Sequence, residues 1–358
     1  MRHKENPSVL FLGPANSTST LHRCVMVSRE LERRGYECKC YSLSCILGGK
    51  VPNLLSQISC WRSIALAHPS CLVVHRNSNL VDFEAIKRIV KMEPRIRVIF
   101  DFDDSLFHVR LPGRIASYSH LNQILSMSDA VTAGSHYLKE FASKLNKNVI
   151  LLPSPVDTEL FDPSVRRVSD SSTTTVGWLG AGVRGQLHYL RILKDPLNAL
   201  AKKYDLKLKI VSALSKAVRA EFSNQRFDVD FGLDHWVPIE QTPALISDFD
   251  IGVMPMTDDP WSRGKCAMKL LEYMSMKLPT VSSAVGENRY VIDHRRDGFL
   301  ATSPEEWADC IEKLIINDDL RKEIGENGYN KIKSTYSVPA VVNTLERTMR
   351  EIDEAVTT

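Results

Sequence analysis

No apolar run in this sequence reaches the roughly 18 residues that a membrane-spanning helix needs. A charged-then-apolar leader is also missing, since polar MRHKENP passes directly into the short VLFLG. These absences lead to the expectation of a cytoplasmic protein, with peripheral contact at the inner membrane face left open. Net charge is small: 46 Lys and Arg against 43 Asp and Glu leave +3, too little to argue for nucleic acid as a partner. Cys-x-x-Cys pairs are absent too. Six of the eight cysteines (Cys24, Cys38, Cys40, Cys45, Cys60 and Cys71) lie in the first 71 residues, and none has a histidine at ligand spacing. Zinc is therefore not expected, and buried free thiols are. Short internal repeats and low-complexity tracts are lacking as well.

What is present is an ordinary globular composition on a chain long enough for two domains, with 43% hydrophobic and 25% charged residues. Short, non-alternating runs rich in Val, Ile and Leu alternate with stretches of helical period, as expected of parallel strands buried on both faces. In the first half the expected strands are Ser8–Leu12, Glu37–Ser42, Cys71–His75, Arg97–Asp101, Ala130–Ala133 and Val149–Leu152. Helices are expected around Leu21–Arg34, Leu54–Ala67, Val81–Lys91, Ile115–Met127 and His136–Leu145. After the Pro- and Ser-rich PSPVDTELFDPS and VRRVSDSSTTT the alternation restarts, with strands at Thr175–Leu179, Leu208–Ser212, Asp228–Gly232, Ile251–Pro255, Thr280–Ser283 and Phe299–Ala301. Helices there are expected at Leu187–Tyr204, Lys216–Asn224, Pro243–Asp248, Lys265–Met276 and Asn288–Asp293, with a helical tail from Ser303 to Val356. The expected fold is α/β: two Rossmann-like doubly wound parallel-sheet domains facing across a cleft. Their expected bounds are 1–165 and 166–336, with 337–358 crossing back to the first.

In open parallel sheets ligands bind beyond the carboxyl ends of the strands. That rule directs attention to Gly13–Thr20, Asp101–His108, Gly180–Gly185, Thr257–Lys265 and Ala284–Asn288. The stretch GKCAMKLLEYM (Gly264–Met274) is not a Walker A loop, because Asp259 stands five residues before Gly264 and Cys266 follows Lys265. A helix start beside Arg263 and Lys265 still suits a diphosphate, and Glu272 on that helix suits paired ligand hydroxyls. The alternatives are a solvated basic turn and a surface glutamate. SSAVGENRYVI places Ser283, Gly286 and Asn288 at a second expected helix start.

Several segments together resemble family 4 (group 1) retaining glycosyltransferases of the two-domain GT-B fold. GKCAMKLLEYMSMKLPTVSSAVGENRYVI is similar to the family's donor-binding segment, and DIGVMPMTDDPWSRGKC to a subgroup motif D-x-P-W-S-x-G-K-C. SDAVTAGSHYLKEFA with VILLPSPVDTELFDP, and IGENGYNKIKSTYS, resemble its patterns at the end of the first domain and in the C-terminal helices. The resemblance implies a metal-independent transferase acting on a nucleotide sugar, UDP- or GDP-linked, with no cofactor. In the family's Glu–seven residues–Glu motif the second glutamate falls on Glu272. The first falls on Gly264, so that carboxylate is absent here. The implied donor set is Glu272, Gly264, Lys269, Arg184, Ser283, Val285, Gly286, Asn288 and Gly13, with Arg263, Lys265 and Asp103 as the catalytic group. Asp101, Asp104, His108 and Asn16 are implied to face the acceptor or sugar.

For the aspartates of IFDFDDSLFH, cation binding, base, hydroxyl contact and helix capping all stay open. GPANSTST has capping at Ser19 or Thr20 beside a role near the phosphates. The stripe Leu54, Ile58, Trp61 and Ala65, with Leu55 beside it, reads as core, with membrane docking as the other reading. Sugar transfer to an acceptor hydroxyl (glycan, lipid-linked or small molecule) is the expected function. A nucleotide-sugar epimerase of the same fold and a silent nucleotide-sugar binder are the rivals.

Overall fold

The computed structural model describes residues 7–15, 17–43, 45–46, 51–108, 118–167, 172–180, 187–213, 216–233 and 237–357. The chain divides into two compact units, one of Met1–Pro155, Gly264–Cys266 and Val338–Thr358, the other of Val156–Arg263 and Ala267–Ser337.

The first unit is built on six parallel strands: β1 (Ser8–Pro14), β2 (Glu37–Leu43), β3 (Cys71–His75), β4 (Arg97–Phe102), β5 (Ala130–Ala133) and β6 (Val149–Leu151). Their order is β2-β1-β3-β4-β5-β6. Register explains the unbroken apolar runs. Leu12, Val74, Phe100 and Val131 stand side by side on one face, and Phe11, Val73, Ile99 and Ala130 on the other. Each face has its own buried core, and burying one such large side chain stabilises by about 1.5–3 kcal/mol. The second core is completed by the helix Val338–Thr357, which contributes Val341, Val342, Leu345, Met349 and Ile352 at helical spacing. Arg34–Glu346 (2.5 Å) and Arg97–Asp353 (3.1 Å) tie that helix down at its sides.

The helix after β1 comprises Thr18–Thr20, a π-type stretch Leu21–Met26, and Val27–Arg33. Ser17 caps it, so the expected cap at Ser19 or Thr20 is corrected: Thr20 instead donates its hydroxyl to the Pro14 carbonyl. The helix Leu54–Ala67 matches its expected span, but only part of its apolar stripe faces the core as expected, namely Trp61 and Ala65. Trp61 is buried, whereas Leu54 (55% exposed) and Ile58 (51%) face solvent with Leu55 and Leu66. Gln57 takes the inward position because buried Asp82 accepts from both Gln57 Nε2 (2.6 Å) and Trp61 Nε1 (3.0 Å). The described cysteines are free; Cys24, Cys71, Cys266 and Cys310 are buried, but Cys40 is exposed, contrary to the expectation of buried thiols.

The second unit repeats the design with β7 (Thr174–Leu179), β8 (Leu206–Ala213), β9 (Asp228–Leu233), β10 (Ile251–Met254), β11 (Thr280–Ser283) and β12 (Phe299–Ala301), ordered β9-β8-β7-β10-β11-β12. Val156 and Phe161 already belong to its core. The helix expected over Leu187–Tyr204 is two helices, Leu187–Arg191 and Lys194–Leu200. Pro196 has no N–H and its ring opposes the carbonyl four residues earlier, so one continuous helix cannot form. Strand order reverses between β1 and β3 in the first unit and between β7 and β10 in the second. The loops at these reversals are where an open α/β sheet holds its ligand.

Candidate functional site

In the first unit the reversal brings together residues that lie far apart in sequence. Asp101, at the end of β4, is buried and accepts from Arg23 Nε (2.7 Å) and Arg23 Nη2 (2.5 Å), His75 Nδ1 (2.7 Å) and Thr132 Oγ1 (2.6 Å). Burial would raise its pKa, but the Arg23 guanidinium, then His75, outweigh it and hold the carboxyl well below the ordinary range. With four donors on two buried oxygens, Asp101 is a structural anchor. The expectation that it faces a sugar is thereby corrected.

Asp103 is differently placed. Its Oδ2 accepts from Ser19 Oγ and its Oδ1 from Arg76 Nε, each at 2.5 Å, and its side chain keeps 11% exposure. Burial again opposes ionisation, and Arg76, His75, Arg23 and the Ser19 hydrogen bond together overcome it. Asp104 pairs with Arg76 Nη2 and with Lys265 Nζ (2.9 Å). Arg76 thus stands between Asp103 and Asp104, the position a divalent cation would otherwise take. His108 does not join this group, because its Nε2 meets the Tyr137 hydroxyl at 3.0 Å. Gly13 packs on Thr20; a Cβ there would lie 2.8 Å from the threonine methyl. Asn16 and Arg184 lie outside the described residues.

Arg23, His75 and Arg76 were not among the residues singled out by sequence. A signal existed for two of them, since His75 and Arg76 follow the buried run CLVV at the carboxyl end of β3.

The tripeptide Gly264–Cys266 groups with these residues. Cys266 Sγ donates to the Asp103 carbonyl at 3.0 Å. A Cβ on Gly264 would sit 1.7 Å from Ser105 Oγ, so any side chain at this position requires the Ser105 hydroxyl to move.

In the second unit TDDPWS is a capped turn. Asp259 accepts from the Trp261 and Ser262 amides (3.0 and 2.9 Å) and from the Thr257 and Ser262 hydroxyls (2.7 and 2.8 Å). This starts the four-residue helix Pro260–Arg263. The next helix begins at Met268, not Lys265: Ala267 has φ of 54°, a left-handed turn that separates the helix from the preceding residues. Neither expected cation therefore lies on its first turn. Arg263 forms a two-pronged pair with Asp258 (2.6 and 3.2 Å). Lys269, which does lie on the helix, has its ammonium 5.0 Å from the Trp178 ring centre.

Glu272 is the fifth residue of Met268–Ser275 and is 6% exposed. Among the described residues none donates a hydrogen bond to it. Burial pushes its pKa up to about 8, against a smaller opposing pull from Lys269. The neighbouring Tyr273 hydroxyl accepts the Leu179 amide at 2.6 Å, which fixes this helix against the end of β7.

The second expected helix start is only Asn288–Val291. Asn288 is buried and donates to Ser282 Oγ (2.7 Å), and Ser283 Oγ accepts the Met256 amide (2.8 Å), so both brace the loop from within. Their side chains are engaged within the loop itself, which leaves the expected donor contact at this helix start to backbone amides. Val285 is buried, and Gly286, at φ 52°, lets the loop approach the Arg263 carbonyl, which a Cβ would meet at 2.7 Å.

Residues 173–317 match the family described as Glycosyl transferases group 1, a stretch that lies within the second unit apart from Gly264–Cys266. Among curated proteins the chain is 26% identical over 195 residues to D-inositol 3-phosphate glycosyltransferase of Corynebacterium jeikeium, covering 49% of this chain and 45% of that protein. It is 24% identical over 276 residues to alpha-1,3/1,6-mannosyltransferase ALG2 of Rhizomucor pusillus, covering 65% and 58%. The match thus spans about half the length of these curated relatives. Among solved structures, a glycosyltransferase from Rickettsia africae shares the fold at TM-score 0.70 and 16% identity, covering 97% of this chain and 99% of that one. Anabaena HepE, solved with UDP and glucose, does so at TM-score 0.65 and 13% identity, covering 97% and 100%. The architecture is the two-domain α/β GT-B fold.

Proposed function

We propose that this protein is a glycosyltransferase that moves a sugar from a nucleotide diphosphate, UDP- or GDP-linked, to an acceptor hydroxyl with retention of configuration. The observation that carries the reading is Glu272. A buried carboxyl with no hydrogen-bond donor among the described residues sits on the crossover from β10 to β11, inside a group 1 glycosyl transferase domain. A ligand bearing two adjacent hydroxyls, such as a ribose, supplies the missing donors.

On this reading the second unit holds the donor and the first the acceptor. The Met268–Ser275 helix has no side-chain cap, so its first amides suit a phosphate. Lys269 adds charge there, while Arg263 exchanges its aspartate partner for the diphosphate. Charge builds on that group as the glycosidic bond breaks, and these donors stabilise it. The departing phosphate takes the acceptor proton, so no side-chain nucleophile is required. Asp103, ionised and partly accessible, orients a hydroxyl.

For the acceptor we propose a lipid-linked molecule at an anionic membrane surface. Leu54, Leu55, Ile58 and Leu66 form one exposed apolar face with Arg62 among them, and the adjoining helix Leu80–Met92 exposes Lys87, Arg88 and Lys91. No helix among the described residues is long and apolar enough to cross a membrane. Leu55→Asp with Ile58→Asp should abolish co-sedimentation with phosphatidylglycerol vesicles; unchanged sedimentation removes the membrane proposal.

The test of transfer is product analysis with a panel of UDP- and GDP-sugars. Free nucleotide with a glycosylated acceptor is the expected result, isomerised donor indicates an epimerase, and binding without turnover indicates a silent module. In calorimetry with UDP and GDP, Glu272→Ala should weaken binding of the preferred nucleotide by roughly ten- to hundredfold. Full affinity in a folded variant would remove Glu272 from the donor site.

A further inference from the structure

His75 is fully buried at the end of β3 and lies between two carboxylates. Its Nδ1 is 2.7 Å from Asp101 Oδ2, its Nε2 is 2.7 Å from Ser19 Oγ, and Ser19 Oγ donates to Asp103 Oδ2 at 2.5 Å. Hydrogen counting orders this chain. An ionised Asp101 can only accept, so Nδ1 carries a hydrogen. Ser19 has one hydrogen and gives it to Asp103, so Ser19 must accept from Nε2. Both ring nitrogens then donate. Asp101–His75–Ser19 has the composition of a nucleophilic triad, but its direction is reversed: the serine hydrogen points away from the imidazole, and the hydroxyl is not armed. What the chain points at is Asp103.

We propose that His75 and Ser19 are positioning residues for Asp103, fixing its Oδ2 edge so that the carboxylate can receive a hydroxyl of the sugar or the acceptor. The proposal rests on the glycosyl-transfer reading above. Arg76 holds Oδ1, and the chain holds Oδ2 from the other side. A carboxylate has about four acceptor directions, so with one donor on each oxygen it keeps room for a substrate hydroxyl. Asp101, held by Arg23 and Thr132, fixes the imidazole and so the far end of the chain. Transmission through Ser19 also explains why a serine on the first helical turn faces inward while Ser17 does the capping.

The test uses the full chain and the nucleotide sugar that the panel identifies. Ser19→Ala and His75→Asn should each lower kcat/KM by roughly ten- to hundredfold. The double variant should be no worse than the weaker single variant, because both cut one path. Ser19→Thr, which keeps the hydroxyl, should recover most of the activity. Asp103 is faced by Arg76 and His75 from the end of β3, Arg23 and Ser19 from the first helix, Asp101 and Asp104 beside it, and Lys265 and Cys266. Removing the Ser19 donor moves the acid limb of the kcat/KM profile to higher pH, whereas a purely structural role lowers Tm and leaves the limb in place. An active wild type whose folded Ser19→Ala variant keeps wild-type kcat/KM and acid limb overturns the proposal while sparing the glycosyl-transfer reading. If wild type turns over no donor, that reading fails, and nitrogen NMR of the His75 ring decides the chain instead. Two protonated ring nitrogens, with Nε2 shifted in Ser19→Ala, support it; a singly protonated ring overturns it.

Discussion

Asp101 and Glu272 are buried to similar depth, 2% and 6% exposed, one near the end of β4 and the other on the helix Met268–Ser275 between β10 and β11. Burial acts on both in the same direction, toward the neutral form. In the first unit Arg23, His75 and Thr132 answer it, and Asp101 stays ionised. In the second unit only Lys269 pulls the other way, and the Glu272 carboxyl is pushed up to about 8. Depth therefore says little about what a buried carboxyl does; the donors around it decide. One carboxyl is held by three residues of its own unit, and the other has only the nearby Lys269 to oppose its burial.

The comparison predicts different responses to mutation. Asp101→Ala leaves Arg23 and His75 buried without their partner and should cost about 3–5 kcal/mol in urea unfolding. A loss under about 1 kcal/mol would mean the network is not what anchors the first unit. Glu272→Gln should act in the opposite sense and depend on pH. A carboxyl whose folded pKa is raised loses stability as pH climbs from its unfolded value near 4.3 through its folded value. The glutamine variant should therefore melt several degrees above wild type at pH 9 and level with it at pH 4. Asp101, with a depressed folded pKa, contributes stability that is present above its unfolded value and lost as pH falls. Equal melting of wild type and Glu272→Gln at pH 9 would break the contrast between the two carboxyls. The smallest effect expected is at Gly264→Ala, where the new methyl meets Ser105 and should cost roughly 1–3 kcal/mol. Ser105→Ala in the same chain should recover part of that loss; no recovery would mean the strain lies elsewhere.

Much of the fold was legible because parallel strands buried on both faces leave short unbroken apolar runs, and the expected strands fall within a residue or two of the observed ones. The failures have specific causes. The helical pattern over Lys265–Met276 starts three residues before the helix does, because nothing in GKCAM announces a left-handed alanine. Apolar period alone points the whole Leu54–Ala67 stripe inward, because it does not reveal that Asp82 draws Gln57 to the core side. At the site, the sequence draws attention to Glu272 through its position after a strand and the family resemblance, but not to its burial. The partners of Asp103 were not, since Ser19, His75 and Arg76 meet it only when β1, β3 and β4 lie side by side. Resemblance could also say that a carboxylate is missing at Gly264, but only the Ser105 contact gives the physical reason.

The helix Val338–Thr357 is the part of the first unit that is synthesised last. Five of its side chains close a core whose other walls come from the first 152 residues. At about 5–20 residues per second, a ribosome needs roughly ten to forty seconds to pass from Pro155 to Val338. For that interval the sheet that emerged first has one apolar face covered only in part, by Cys24, Val27 and Leu31, while every residue of the second unit is being made. The unit that begins first is the last to be finished, and the nascent chain must keep that face from other partners until its own final helix arrives.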